Sequence, residues 1–271
     1  MEELAPARFD AILALVPRPA VAGHMAFVHA VLEGSLPGFV LVDRAAAPAS
    51  AVVCNLTGFW FALGQPDEAF AADAVPELLS RVPEVGTALW APSREWERLL
   101  SGHFASKRWR TEFHYRPAAA APAPPLPPGL MLAPIDASIA ARFDAGLDPW
   151  VIEIFGGPAE FSRRSFGFAL LKDGQPVAFC AACAVQERGP DREIEIEIGT
   201  APAYRERLLG TIVGQVFIEE CVRRHFFPAW TCGADNVPSE RLAIGLGFAP
   251  ARKVAGFGLR QGMAQAGGLW L

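Results

Sequence analysis

The most regular pattern of polar and apolar positions in the chain lies at Glu193-Ile-Glu-Ile-Glu-Ile-Gly-Thr200. Glu193, Glu195 and Glu197 alternate with Ile194, Ile196 and Ile198, and a period of two predicts a β-strand. Pro202 ends it, because proline has no N–H to give to a sheet ladder. A polar turn with Tyr204, Arg205 and Arg207 follows. An apolar run of helical period then extends from Gly210 and Thr211 to His225. Strand, basic turn and helix start, in that order, aim several backbone N–H groups at one point. The helix dipole and two guanidinium groups add positive potential there, and such a point binds phosphate. The alternative is a plain strand-to-helix connection with solvated arginines. Further on, a strand is expected over residues 229–233, then Asn236, a helix from Ser239 to Leu246, and a stop at Gly247-Phe248.

The rest of the pattern divides in two. In the first part, residues 9–16 and 23–32 have helical spacing, residues 38–42, 50–55 and 59–63 read as strands, and residues 67–79 and 93–100 read as helices. The last of these opens at a Ser93 N-cap with Glu95 close behind. Residues 107–115 alternate. In the second part, a strand at 130–134 and a helix at 137–147 precede a loop and helix at 148–164 that contains Gly156-Gly157. Strands at 165–171 and 176–186 are joined by Lys172-Asp-Gly-Gln175, a hairpin turn. After the Glu193 strand come a helix at 211–225, the Trp230 strand, the Ser239 helix and a last strand near 252–257. Between the parts, residues 117–135 carry no charge but seven prolines, at 117, 122, 124, 125, 127, 128 and 134. That window is a stiff, extended linker and not a membrane helix. The expected domains are 1–117, a linker at 118–128, and 129–271.

Composition narrows the classes. A chain of 271 residues suits one large or two small domains, and 52% apolar residues is ample for a core. A net charge of −5 argues against a nucleic-acid surface, though not against a local basic pocket for an anionic cofactor. Five cysteines, an odd count, and an acidic start without a basic leader point to a reducing cytoplasm. Cys180 and Cys183 have redox or zinc spacing, but in a strand positions three apart face opposite ways, so they are expected as buried apolar cysteines. His24 and His29 show no ligand pattern, and no metal is expected. Trp60, Trp90, Trp96 and Trp109 either line a cleft or sit in a core.

Taken in order, the two informative stretches resemble the acyl-CoA-binding half of the GNAT superfamily, the Gcn5-related N-acetyltransferases. The family's Arg/Gln-x-x-Gly-x-Gly/Ala loop is matched here by Arg205-Glu-Arg-Leu-Leu-Gly210, with Leu208 standing where the middle glycine is usual. Asn236, Ser239 and Leu246-Gly-Phe248 match a later family pattern. Pro228, Trp230 and Cys232, followed by Asn236, Ser239 and Leu242-Ala243, look like a narrower branch that includes the zwittermicin A self-resistance acetyltransferase. The resemblance covers about residues 128–258. It implies an α/β (α+β) GNAT fold in the C-terminal half, ordered βααβββαβαβ, with a sheet that splays between its fourth and fifth strands to admit the pantetheine arm of coenzyme A. The N-terminal α/β domain is either a degenerate second GNAT copy or a packing or substrate-shaping domain.

The resemblance further implies acetyl-CoA as co-substrate. Arg205, Glu206, Arg207, Leu208, Leu209, Gly210 and Thr211 would form the phosphate loop. The backbone of Ile198 and Thr200 would hold pantetheine, and Asn236 and Ser239 would lie near the cofactor arm. Asn236 is equally a turn residue bonding its own backbone. Amine acylation needs a base and a way to hold the developing oxyanion. Glu195 and Glu197 are the candidate bases, on a strand face that is either a wet cleft toward substrate or a solvated edge. Ala243 stands where many relatives place a tyrosine acid, although a thiolate leaving group does not strictly need one. The expected function is transfer of an acetyl group to a primary amine of a small molecule by direct attack in a ternary complex. One alternative is a non-catalytic acyl-CoA-binding or sensing module. Another is aminoacyl transfer by a tandem GNAT fold, which would need a basic tRNA groove. A small-molecule amine is the expected partner, with no nucleic acid and no membrane, and the oligomeric state is open.

Overall fold

The computed structural model describes residues 1–17, 25–56, 58–81, 87–104, 106–117, 122, 124–144, 146–190 and 192–258. The chain forms two compact units. The first comprises Met1–Glu112, Cys232–Asp235 and the described part of Arg252–Leu271, and the second comprises Phe113–Thr231 and Asn236–Ala251. This division differs from the boundary expected at the 118–128 linker, of which residues 118–121 and 123 lie outside the described residues, as does His24.

The first unit begins with β1 (Glu2–Glu3) and a 3-10 helix (Pro6–Leu15), followed by α1 (Ala26–Leu32). Strands β2 (Gly38–Val42), β3 (Ser50–Asn55) and β4 (Phe59–Gly64) come next. Then come α2 (Glu68–Ser80), β5 (Ala88–Ala91), α3 (Arg94–Ser101) and β6 (Lys107–Tyr115, whose last three residues count with the second unit). Strands β1 to β4 pair antiparallel in sequence. The β4–β5 pair is parallel, from Phe59 opposite Ala88 to Phe61 opposite Trp90. A parallel pair requires a crossover, and α2 supplies it. The core packs Trp60, Phe70, Leu78, Trp96 and Leu100 together. The four-residue β5 escapes sequence reading because Ala-Leu-Trp-Ala has no alternation: all four residues are buried.

The second unit opens with β7 (Leu130–Pro134) and three short helices, α4 (Ala137–Ala140), α5 (Trp150–Glu153) and α6 (Pro158–Arg164). Strands β8 (Gly167–Lys172), β9 (Gln175–Val185) and β10 (Glu193–Thr200) follow. Then come α7 (Leu209–Arg223), β11 (Phe227–Gly233, whose last two residues count with the first unit) and α8 (Val237–Gly245). The strand order is β7-β8-β9-β10-β11. Asp173 and Gly174 both take positive φ, 51° and 81°, which makes the β8–β9 turn the mirror-image type that suits twisted hairpins. The helix expected over 137–147 stops after four residues. The Asp144 carboxylate accepts the Gly146 N–H at 2.8 Å and closes a local turn in its place. Trp150, Val151 and Ile152 are buried, so α5 is anchored by its apolar side despite its length.

Each unit taken by itself has the same order: strand, helices, three antiparallel strands, crossover helix, parallel strand, helix. The first unit therefore repeats the arrangement expected for the second. Among the described residues, no helix is long and apolar enough to cross a membrane.

Candidate active site

The site begins where two strands part. β10 pairs with β11 in parallel through Glu193–Phe227, Ile194–Pro228 and Glu195–Ala229, and the pairing stops there. β10 continues to Thr200 against β9 alone. The register on the β9 side slips at the same place: Glu195 lies opposite Ala184 but Ile196 lies opposite Ala182. Cys183 is the extra residue of this β-bulge, and its thiol donates to the Glu195 carbonyl at 3.4 Å. A bulge bends a strand and sharpens its twist, which turns the second half of β10 away from its parallel neighbour.

The connection from β10 to α7 is strained in two places. A 3-10 turn (Pro202–Tyr204) leads to an extended Arg205, with φ −63° and ψ 162°. Glu206 and Leu208 then take left-handed φ values of 62° and 61°. A side chain in that region costs about 1–2 kcal/mol. Left-handed residues in a turn bring successive N–H groups to one side, which makes an anion-holding concavity. Leu208 is the N-cap of α7, and no side chain caps the helix there, so its leading N–H groups are left to a ligand or solvent. Leu208 is 62% exposed, whereas Leu209 is buried. The leucine therefore keeps the backbone conformation that a glycine would take and sends its side chain outward. Arg205 Nε donates to the Thr200 carbonyl at 3.2 Å, tying the loop to the end of β10. The Arg207 guanidinium stands 5.4 Å from the Tyr204 ring centroid. Glu206 is exposed like both arginines, and Thr211 is half-buried on the first turn of α7.

Two glycines on one face of α7 bring the parts together. A Cβ at Gly214 would stand 2.8 Å from Leu246 Cδ1 and 3.3 Å from Ile198 Cδ1. A Cβ at Gly210 would stand 3.3 Å from Leu242 Cδ2 and 3.7 Å from Thr200 Oγ1. The bare face thus lets Ile198 and Thr200 of β10, and Leu242 and Leu246, approach the start of α7. Gly214 was missed in the sequence, although its spacing of four from Gly210 matches the spacing of Leu242 and Leu246.

Asn236 and Ser239 brace the next corner. Asn236 Oδ1 accepts the Ser239 N–H at 3.1 Å and caps α8, which is the turn role weighed for it above. Ser239 Oγ accepts from the Trp230 indole at 3.2 Å. Ala243 is fully buried in the core.

The three carboxylates do not share one environment. Glu193 and Glu195 are buried, Glu195 being only 3% exposed, so their stretch of β10 is neither a wet face nor a solvated edge. Glu197 is half-buried alongside the parted strands. Thr231, two residues beyond the last β10–β11 pair, donates its hydroxyl to Glu195 Oε1. A buried carboxylate is tolerable only with such partners. No local signal in the sequence marks Thr231, since the two residues are 36 positions apart. All five cysteines are free and buried, and burial raises the Cys180 thiol well above its ordinary range, so it is no nucleophile. Among the described residues, no group of His, Cys, Asp and Glu could hold a metal.

The first unit closes the equivalent places with its own side chains. The Asp67 carboxylate accepts the Phe70 N–H at 2.7 Å and caps α2, the counterpart of the uncapped α7. Trp96, third residue of α3 as Ser239 is third residue of α8, is 1% exposed and donates its indole N–H to the Gly64 carbonyl at 3.0 Å, at the end of β4. Trp60 and Trp90 are core residues as well. Trp109 is exposed and lines a cavity of about 700 Å³ with Arg94, Arg252 and Lys253.

An uncapped helix start, a left-handed turn and a parted parallel pair thus lie together in the second unit. The chain belongs to the GNAT acetyltransferase family, whose model matches residues 19–257. It is thus an acyltransferase of the N-acetyltransferase kind, in a family that generally uses acetyl-CoA. It is 27% identical over 227 residues to the uncharacterized N-acetyltransferase YdfB of Bacillus subtilis (strain 168), covering 82% of this chain and 85% of that protein. In fold it is similar to a GCN5-related N-acetyltransferase-like protein from Streptococcus suis, with a TM-score of 0.68 at 19% identity, covering 93% of this chain and 98% of that one. It is also similar to a tandem GNAT protein from the clavulanic acid biosynthesis pathway, with a TM-score of 0.61 at 13% identity, covering 95% and 97%.

Proposed function

We propose that the protein transfers an acetyl group from acetyl-CoA to a primary amine of a small molecule, by direct attack in a ternary complex. The observation that carries this reading is the α7 start: left-handed Glu206 and Leu208, no side-chain cap, and Arg205 and Arg207 on either side. These residues fit a diphosphate, which wants converging N–H donors and nearby positive charge. The second half of β10, with Ile198 and Thr200, offers strand backbone to the pantetheine amides. Leu209, Gly210 and Thr211 continue the phosphate loop into the helix. Acetyl-CoA would supply the activated thioester. The chain would supply position, a base in Glu197 or Glu195, and a negative potential that draws a cationic amine. Asn236 and Ser239 would act by holding the corner beside the cofactor arm. The resemblance of Pro228, Trp230 and Cys232 to the branch with the zwittermicin A self-resistance acetyltransferase supports a small-molecule acceptor. In this reading the protein works in the cytoplasm, without a metal and without a nucleic-acid or membrane partner.

Release of free thiol from acetyl-CoA in the presence of an amine panel tests the reading. Glu195→Gln and Glu197→Gln are expected to lower the rate about 100-fold or more where the residue is the base, with acetyl-CoA affinity kept. If both variants keep full activity, the assignment of the base is wrong. A second reading, a non-catalytic acyl-CoA-binding module, is favoured by the buried Ala243 at the usual acid position. Tight acetyl-CoA binding with no thiol release from any amine would establish it.

A further inference from the structure

Of the four tryptophans that the sequence leaves between core and cleft, Trp60, Trp90 and Trp96 are at most 3% exposed, but Trp109 is 40% exposed. It sits on β6, where Lys107 Nζ stands 4.5 Å from its ring centroid and the Glu97 carboxylate pairs with the same ammonium. Its backbone carbonyl accepts the Ala234 N–H at 2.9 Å. The indole is thus held in place while much of it stays open. Beside it lies the cavity of about 700 Å³, and every residue that lines this cavity belongs to the first unit. The cavity forms where a strand pair ends. β12 (Phe248–Gly258, whose first four residues count with the second unit) pairs antiparallel with β5, from Gly258 opposite Ala88 to Ala255 opposite Ala91. Pro92 cannot extend that ladder, and Ser93 turns the chain into α3 by accepting the Trp96 N–H at 3.2 Å. Val254, Lys253 and Arg252 continue past the last pair and line the space left beside them.

The charges around this cavity do not cancel. Arg252 Nε donates to Glu112 Oε2 at 2.6 Å, so that cation is matched by a buried carboxylate. Lys107 is matched by Glu97. Arg94 and Lys253 also line the cavity, are exposed, and are in no ion pair among the described residues. Ala91, Pro92 and Val254 add apolar wall to the indole. Two unmatched cations beside an apolar wall suit a ligand with two negative charges at one end and a flat apolar body at the other. A phosphate monoester carries about −1.5 to −2 charges at pH 7, whereas a single carboxylate would leave one of the cations unmatched. We propose that the cavity is a binding site for a small aromatic phosphate monoester, with the phosphate at Arg94 and Lys253 and the ring against Trp109. The volume fits a small molecule and not a polymer segment.

Isothermal titration of the full chain with phenyl phosphate tests this, beside inorganic phosphate and phenol. Phenyl phosphate is expected to bind at least about tenfold tighter than either part alone. Arg94→Gln and Lys253→Gln should each weaken it about tenfold, and Trp109→Ala by about three- to tenfold, with Trp109→Phe close to the parent. Arg205→Gln, in the second unit, should leave it within about twofold. The proposal is overturned if phenyl phosphate does not bind, if inorganic phosphate binds as tightly, or if binding survives both cation variants. It is overturned equally if Trp109→Ala binds like the parent, or if Arg205→Gln removes the binding, which would move the ligand to the other unit. Should Trp109→Ala not fold, Trp109→Leu decides on the same comparison. The probe carries no acyl group and the readout is not thiol release, so this inference and the acetyl-transfer reading can each fail without the other.

Discussion

Leu208 occupies a backbone conformation that its own side chain resists, at the position matched above to the middle glycine of the loop motif. The strain sits in the turn proposed above to hold a diphosphate, and strain commonly collects at sites of function. Leu208→Gly should relieve about 1–2 kcal/mol and lose part of that to the greater freedom of glycine in the unfolded chain. The expected net is a gain of about 0.5–1 kcal/mol, read as a higher urea midpoint at unchanged slope, with acetyl-CoA affinity equal or tighter. A loss of stability would mean that the exposed leucine makes contacts that matter. At this scale the turn between β10 and α7 and the start of the helix were legible because Arg205 to Gly210 are contiguous and the pattern that marks them is local. The Thr231–Glu195 pair was not, because only the folding of β11 beside β10 brings them together. The three glutamates were legible as a strand face but not as buried, since burial depends on the neighbours on both sides of β10.

Among elements, the strands with clear alternation or flanking turns fell where the pattern placed them, β2 at Gly38–Val42 and β3 at Ser50–Asn55 among them. The helix at 137–147 did not, because one aspartate turn outweighed the helical spacing of its apolar residues. The seam between α7 and α8 was also illegible: it depends on absent side chains. Gly214→Ala should push against Leu246 and Ile198 and cost about 1–2 kcal/mol, after the better helix propensity of alanine is set against the crowding. Denaturant titration measures this. An acetyl-CoA affinity that falls further than stability does would show that Ile198 has shifted along with the helix.

At the scale of the molecule, the same element order occurs twice, but only one crossover helix begins without a cap. In the first unit the Asp67 carboxylate already accepts the Phe70 N–H at the start of α2, and Trp96 bonds the end of β4. Isothermal titration should therefore find one acetyl-CoA per chain. Two would show that Asp67 and Trp96 yield to the ligand, and Leu208→Pro, which the left-handed φ of that position forbids, should abolish the single site. Asp67 and Trp96 also divide the work of selection within the chain. On the proposed function, changes around them should answer only to whether that half keeps its shape, and changes at Arg205 to Gly210 to shape and turnover at once. A library of all single substitutions, scored separately for abundance and for product, would tell the two halves apart with no picture of either.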